Sequence, residues 1–212
     1  MKPILTGIIL LILLSINLQA QESGFPQCAV GMIVDKDENI LGSGVVALSS
    51  KNVLTCLHVI RPTTGPIYYH AYMSDVAILL TVEASNYDSD IVILKSNEEL
   101  CRQPLKLNID YPNCITDTIG YVGVSLKESD DSVAAIEFNK SIVETVGQYR
   151  GIYGRRDFIE FPGRGEPGFS GSPVFNSKGE VIAILSKGFY MRGVKAKNEE
   201  LFNRATLFPK KL

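Results

Sequence analysis

The sequence predicts an all-β protein built from two small closed antiparallel barrels. Short segments rich in β-branched, aromatic and aliphatic residues recur between turn residues, first over 29–94 and again over 118–191. A polar, proline-containing stretch, Ser96 to Thr116, separates the two series. Only Leu57 to Arg61 resembles a brief helical turn, and the one longer window with a helical period is the tail near 198–207.

The individual strands follow from the same pattern. The first series contains segments 29–34, 44–48, 52–55, 67–72, 76–82 and 91–94. The second contains segments 118–124, 133–138, 142–146, 158–161, 173–175, 181–185 and 188–191. Turn compositions rich in Asp, Asn and Ser separate several of them, because these side chains bond to their own backbone. We therefore predict an N-terminal barrel over 21–96, a connector over 97–116, and a C-terminal barrel with its tail over 117–212.

The N-terminus has the parts of a secretory signal. Met1 and Lys2 precede an apolar run from Ile4 to Leu18, and Ala20 offers a small residue at the cleavage site. The run is shorter than the roughly 20 apolar residues that a membrane span needs. An uncleaved N-terminal anchor is the alternative. We expect residues 1–20 to be a signal peptide, and the mature chain to be secreted or periplasmic and not attached to a membrane.

Charge and histidine content exclude several function classes. The chain has 21 lysine and arginine residues against 23 aspartate and glutamate residues, and the two signs are interspersed. No basic block or aromatic–basic stripe indicates a nucleic-acid partner. No Cys-x-x-Cys spacing occurs, and His58 and His70 are the only histidines, so we expect no metal site and no cofactor.

Four cysteines lie beyond the signal: Cys28, Cys56, Cys101 and Cys114. An even number in an exported chain favours disulfides, and four cysteines allow three connectivities. Cys101 and Cys114 flank a short segment and would close a loop, so we expect this pair. Cys28 with Cys56 would then tie the first strand to the segment before His58. Buried thiols are the alternative in a compartment that is not oxidising.

Three local motifs contain the residue types of a nucleophilic catalytic unit. Ser170 lies in the motif Gly168 to Pro173, whose glycines let the backbone turn sharply. A serine hydroxyl is a poor nucleophile unless an imidazole takes its proton and a carboxylate orients that imidazole. His58 follows a predicted strand, and Asp90 directly precedes the apolar run Ile91 to Leu94. The alternative for the serine motif alone is an ordinary loop.

These motifs resemble those of the chymotrypsin-like serine peptidases, over nearly the whole mature chain. The segments with this likeness are Gly42 to Val46, Val53 to Val59, Asp90 to Leu94 and Gly168 to Asn176. The last is similar to the bacterial glutamyl endopeptidases and, more loosely, to the HtrA proteases. The resemblance implies two antiparallel six-stranded Greek-key barrels with the active site in the cleft between them. It also implies an exported serine endopeptidase that forms an acyl-enzyme, acts on a protein or peptide substrate and is a monomer.

The resemblance assigns roles to single residues. Ser170 becomes the nucleophile, and His58 becomes the general base and then the general acid. Asp90 becomes the orienting carboxylate, and the backbone amides of Gly168 and Ser170 form the oxyanion hole. Asp88 is the alternative for the carboxylate, but the strand directly after Asp90 would hold its side chain more rigidly.

The substrate pocket follows from the same resemblance. Arg164, six residues before the nucleophile, occupies the pocket base, and Leu185, Ser186, Lys187 and Gly188 form one wall. Leu185 replaces the histidine with which glutamyl endopeptidases bind an acidic side chain. Arg164 and Lys187 would nevertheless make the pocket electropositive and favour Glu or Asp before the cut. The alternative is that Arg164 points to solvent or folds over the pocket and leaves a shallow apolar site.

The sequence also bears on two functions other than a peptidase. A catalytically inactive relative that acts as a binding module is the alternative. An α/β-hydrolase is excluded, because that fold orders its residues Ser, Asp, His and needs helices between parallel strands. Phe169 replaces the aspartate that precedes the nucleophile in animal trypsins. We therefore expect no activation through a newly freed N-terminal amine.

Overall fold

The computed structural model describes residues 26–72, 74–110, 115–125, 135–151, 154–163, 165–190 and 201–209. Over these ranges the chain forms thirteen strands, one 3₁₀ turn at Gln27–Ala29 and one short helix, α1, at Leu57–Ile60. The all-β prediction and the predicted helical turn are confirmed. The predicted signal peptide, 1–20, lies outside the described residues. No helix in the described ranges is long and apolar enough to cross a membrane.

The first six strands close into an antiparallel barrel in the order β1-β2-β3-β6-β5-β4. Their bounds are β1 Val30–Asp35, β2 Ile40–Val46, β3 Asn52–Cys56, β4 Ile67–Ala71, β5 Ala77–Asn86 and β6 Ile91–Lys95. Pairing of β1 with β4 completes the ring. The turn after β1 is held by Asp35, whose carboxylate accepts hydrogen bonds from the backbone amides of Asp37 and Asn39. Helix α1 follows β3 directly, at one end of the barrel.

The remaining strands form one antiparallel sheet in the order β8-β7-β11-β12-β13-β10-β9. Their bounds are β7 Thr118–Ser125, β8 Ala135–Ile142, β9 Thr145–Gly151, β10 Gly154–Pro162, β11 Pro173–Phe175, β12 Val181–Tyr190 and β13 Leu201–Leu207. Only Val143 and Glu144 separate the two edge strands, β8 and β9, so the sheet curls until its ends meet. The Glu144 amide donates to Glu160 O at 2.9 Å and helps to fix this corner.

Three details of the second sheet differ from the prediction. It has seven strands where the resemblance implies six, and the tail forms one of them, β13, instead of a helix. Leu201–Leu207 lies between β10 and β12 and pairs with both, so tertiary hydrogen bonding overrides its local helical period. The segments predicted at 181–185 and 188–191 form the single strand β12, with a register shift between Leu185 and Lys187. The strand predicted at 142–146 is divided: Ile142 ends β8, Val143 and Glu144 lie between the strands, and β9 begins at Thr145.

Two hydrophobic clusters lie side by side. The core of the first barrel extends into the second sheet through Val122, Phe175, Val181, Ile184 and Phe208. The core of the second sheet contains Ile119, Tyr121, Val143, Ile159, Phe161, Phe169, Val174, Ile182, Ala183, Leu185 and Ala205. The contact between the two lobes is therefore packed with apolar side chains, which fixes their relative position.

The connector runs along both lobes. Leu105 forms a parallel bridge with Ala47 of the first barrel, and Leu107 forms one with Val181 at the start of β12. Lys106 Nζ donates to Glu180 Oε1 at 2.6 Å. Hydrogen bonds from Lys106, Asn176 and Asn108 lower the pKa of Glu180 to about 2. The predicted boundaries of the connector, 97 and 116, stay a prediction.

The disulfide joins Cys28 to Cys101, and their Cα atoms are 5.3 Å apart. The predicted pairs Cys101–Cys114 and Cys28–Cys56 are therefore wrong. The amides of Leu100 and Cys101 donate to Ser50 O, and this contact holds the start of the connector against the first barrel. Cys56 is a buried thiol at the end of β3, and Cys114 lies outside the described residues. The prediction of at least one disulfide is confirmed.

Candidate active site

Asp90 forms two hydrogen bonds with His58 and one with the preceding residue, Leu57, at the mouth of the first barrel. Asp90 Oδ2 lies 2.7 Å from His58 Nδ1, and Oδ1 accepts from the His58 amide at 3.0 Å. The Leu57 amide donates to Asp90 O at 2.8 Å. The carboxylate thus holds both the ring and the start of α1. Because Nδ1–H donates to Asp90, the tautomer that fits this contact leaves Nε2 as the proton acceptor.

Asp90 and Asp88 differ clearly in their surroundings. The Asp90 side chain is 15% exposed and the His58 side chain 42% exposed, so the pair is sheltered on the carboxylate side. Asp88 is exposed in the turn that precedes β6. That turn is capped by Asn86, whose Oδ1 accepts from the Ser89 amide at 3.0 Å. Asp90 adopts a left-handed φ of 57°, a conformation that aspartate tolerates better than most residues.

The loop that contains Ser170 is fixed by backbone hydrogen bonds and by a buried phenylalanine. The Ser172 amide donates to Phe169 O at 3.0 Å, and the Gly171 amide donates to Leu185 O at 2.8 Å. Phe169 is only 2% exposed and belongs to the core of the second sheet. A Cβ added at Gly123 would lie 2.5 Å from Phe169 Cγ, so the ring sits directly against strand β7. The phenylalanine therefore anchors the loop through apolar packing.

The same loop is bonded to the first lobe. Ser43, in β2, donates its amide to Ser170 O and its hydroxyl to Gly168 O, both at 2.7 Å. A Cβ added at Gly42 would lie 2.7 Å from Ser170 O and 2.8 Å from Val59 Cγ2. Val59 is the residue after His58, so the structure brings the histidine segment and the serine loop together at β2. All three sequence-predicted residues thus lie at the junction between the lobes.

One group in the described part of the chain has spacing suited to a metal ion. The potential ligand atoms of Cys56, His58 and Asp90 all lie within 4.8 Å of one another. Each of them already has a partner, since the Cys56 thiol donates to Leu185 O at 3.3 Å and His58 pairs with Asp90. The arrangement is therefore a hydrogen-bonded pair, His58 and Asp90, with the Cys56 thiol close to it.

The predicted pocket residues have different environments. Leu185 is 1% exposed and packs in the core of the second sheet. Ser186 is buried, and its hydroxyl donates to Arg204 O at 3.2 Å. Lys187 is exposed. Gly188 pairs with Asn203 across β12 and β13, and Arg164 lies outside the described residues.

Two buried polar residues, Asn203 and Ser43, were not among the site residues predicted from the sequence. Asn203 is fully buried, and neither Nδ2 nor Oδ1 has a hydrogen-bond partner within the described ranges. A Cβ added at Gly163 would lie 2.6 Å from this Nδ2 and 2.3 Å from the Tyr121 hydroxyl oxygen. Asn203 lies in the tail, where the sequence shows a helical period and no strand was predicted. Ser43 could have been noticed as a polar residue between two glycines in an apolar strand.

Comparison of the sequence with protein families gives one match. The model of the trypsin-like peptidase domain matches residues 42–184, which is more than half of the chain and includes His58, Asp90 and Ser170. The chain belongs to the trypsin-like peptidase family. Among curated proteins, no sequence matches this member of the family.

Solved proteases share the fold of this peptidase domain. The Rv3671c protease from M. tuberculosis, in its active form, is 20% identical with a TM-score of 0.65, over 85% of this chain and 76% of that one. The MamO protease domain from Magnetospirillum magneticum is 13% identical with a TM-score of 0.64, over 84% of this chain and 91% of that one. The HtrA-type protease AlgW, solved with a decapeptide, is 16% identical with a TM-score of 0.63, over 85% of this chain and 61% of that one. These likenesses confirm the two-barrel fold.

Proposed function

We propose that the protein is an exported serine endopeptidase that hydrolyses peptide bonds through an acyl-enzyme. The observation that supports this most is the 2.7 Å contact between His58 Nδ1 and Asp90 Oδ2, in a trypsin-like peptidase domain whose Ser170 loop is bonded to the same lobe. A carboxylate in this place stabilises the imidazolium that forms when the histidine takes a proton.

In the proposed mechanism the Ser170 hydroxyl attacks the carbonyl carbon of the scissile bond. His58 Nε2 takes the hydroxyl proton and then gives it to the leaving amine, which leaves an acyl-enzyme on Ser170. A water molecule repeats the attack, His58 takes its proton, and the acid product leaves. Asp90 keeps the ring in the required tautomer throughout.

The backbone amides of Gly168 and Ser170 are the proposed oxyanion hole. Among the residues that the structure describes, the amides of Phe169, Gly171 and Ser172 have hydrogen-bond acceptors, whereas none accepts from the amides of Gly168 and Ser170. Gly168 has a φ of +96°, a conformation that favours glycine. Because the described residues offer these two amides no acceptor, both can donate to the negatively charged oxygen of a tetrahedral intermediate.

A serine-directed fluorophosphonate probe tests this function. We expect the wild-type protein to be labelled, the adduct to map to Ser170, and Ser170→Ala to remain unlabelled. Ser172→Ala is the matched control, because the Ser172 hydroxyl is buried and has no partner among the described residues, so its loss should leave labelling intact. Equal labelling of Ser170→Ala would exclude this nucleophile. A folded wild-type protein that is not labelled would favour the inactive binding module.

The relation to the glutamyl-endopeptidase branch, with a preference for Glu or Asp before the cut, is part of the proposal. It rests on the sequence motif around Ser170 and on the exposed cation Lys187 of β12. Cleavage of a diverse peptide library tests it. We expect acidic residues before the cut, and we expect Lys187→Gln to reduce cleavage after Glu more than cleavage after Gln. Cleavage mainly after Lys or Arg contradicts the preference.

Export and a monomeric mature form complete the proposal. The disulfide between Cys28 and Cys101 is typical of oxidising compartments, and the N-terminal segment has the parts of a secretory signal. N-terminal sequencing of the protein recovered outside the cytoplasm should give a chain that begins near Gln21. A chain that retains Met1 would contradict cleavage of a signal peptide.

A further inference from the structure

Ser43 contacts the serine loop with both its backbone and its side chain. It is fully buried in β2. Its amide donates to Ser170 O and its hydroxyl donates to Gly168 O, both at 2.7 Å. Its own carbonyl accepts from Thr55 Oγ1, also at 2.7 Å. One residue of the first lobe therefore holds the loop on both sides of Phe169.

The position of Ser43 leaves it little freedom. A Cβ added at the preceding Gly42 would lie 2.7 Å from Ser170 O, and one added at the following Gly44 would lie 2.7 Å from Val53 Cγ1. The backbone of β2 thus approaches both the serine loop and β3 closely. Within this tight segment, the Ser43 side chain is the one that reaches across to the other lobe.

We propose that Ser43 is a positioning residue for the oxyanion hole of the proposed peptidase. This inference rests on the proposed function. Gly168 has no side chain, so its backbone torsions can vary widely and restrain the direction of its amide only weakly. Because peptide units are planar, the Ser43 hydroxyl fixes the orientation of the Gly168–Phe169 peptide when it bonds to Gly168 O. That restraint limits the torsions of Gly168 and keeps its amide directed at the developing oxyanion.

Ser43 also links the two halves of the candidate triad. Thr55, which donates to the Ser43 carbonyl, lies in β3 three residues before His58. The Ser43 amide and hydroxyl bond to the loop that contains Ser170. The segment that leads to the histidine and the loop that contains the nucleophile are thus joined through one residue, by hydrogen bonds at least partly shielded from water.

Ser43→Ala removes the hydroxyl and leaves the backbone bonds to Ser170 and Thr55 in place. Loss of a hydrogen bond to a shielded carbonyl corresponds to about a tenfold change in an equilibrium or rate. We expect kcat to fall by about tenfold and KM to stay within about twofold, because the oxyanion forms in the transition state and not in the bound substrate. Ser172→Ala is again the control, and its kcat should stay within about twofold of wild type.

Hydrogen exchange provides a second measurement that does not depend on activity. We expect the peptide that covers residues 166–172 to exchange faster in Ser43→Ala than in wild type, and to be unchanged in Ser172→Ala. Unchanged exchange in Ser43→Ala, or an equal loss of kcat in the two variants, overturns the inference. If wild-type protein is neither labelled at Ser170 nor active, the proposed function has failed. The exchange rates alone then decide whether Ser43 positions the loop.

Discussion

Two glycines with left-handed backbone torsions allow a sharp test of how the lobes fit together. Gly171 has a φ of +94° and Gly179 has a φ of +74°, so alanine is strained at both. A Cβ added at Gly171 would lie 1.9 Å from Ser43 O and 2.3 Å from Thr55 Oγ1, whereas one added at Gly179 has no atom within 4 Å. The two substitutions share the backbone strain and differ in the contact between the lobes.

The expected losses follow from these distances. Gly179→Ala should lower the free energy of unfolding by about 1 kcal/mol through torsional strain alone. Gly171→Ala adds a clash with a backbone oxygen, and overpacking of this kind costs about 1–3 kcal/mol. It also breaks the hydrogen bond from Thr55 to Ser43, which contributes about 1 kcal/mol. The expected total for Gly171→Ala is therefore about 3–5 kcal/mol.

Urea unfolding of the two variants measures this difference. The midpoint should fall much further in Gly171→Ala than in Gly179→Ala, with the same dependence on urea concentration in both. Labelling of folded Gly171→Ala at Ser170 should also be slower than in wild type, since the loop must shift away from Ser43. Equal losses of stability in the two variants would refute the close approach of the loop to β2.

Two further predictions concern the connector. Because the folded state lowers the pKa of Glu180 from 4.5 to about 2, the stability that its carboxylate contributes is present above about pH 4.5 and is lost as the pH falls towards 2. Urea midpoints of wild type and Glu180→Gln should converge over that range, and a constant difference between them would contradict the contact with Lys106. Unreduced digests should yield a peptide that links Cys28 to Cys101. Because these cysteines are 73 residues apart, replacing both by serine should lower the free energy of unfolding by about 4 kcal/mol on the chain-entropy model. A linkage from Cys101 to any other cysteine would contradict this pairing.

Local patterns were sufficient to predict most of the strands. Short segments rich in β-branched, aromatic and aliphatic residues, bounded by turn compositions, indicate β1 to β6. In β3 and β6 these side chains are buried along nearly the whole strand. The local patterns failed for β13, whose conformation depends on the unpaired edges that β10 and β12 offer on either side. They also divided β12 in two, because the polar residues Ser186 and Lys187 interrupt its apolar run where the register shifts.

The candidate site was predictable where its residues lie in distinctive motifs. His58, Asp90 and Ser170 each stand in a local sequence that resembles one family, and the first two are in direct contact. The disulfide was not predictable, because the approach of Cys101 to Cys28 depends on how the connector packs against Ser50. The role of Ser43 was missed for a similar reason, since the partner of its hydroxyl, Gly168 O, lies 125 residues away in the chain.

The most direct test of the proposed triad is to measure kcat on a peptide substrate for three variants: Ser170→Ala, His58→Ala and the double variant. We expect each single substitution to lower kcat by about 10⁴–10⁶, and the double variant to be scarcely slower, because a nucleophile and its base act as one unit. Near-full activity in Ser170→Ala, or losses that multiply in the double variant, would contradict the proposed triad.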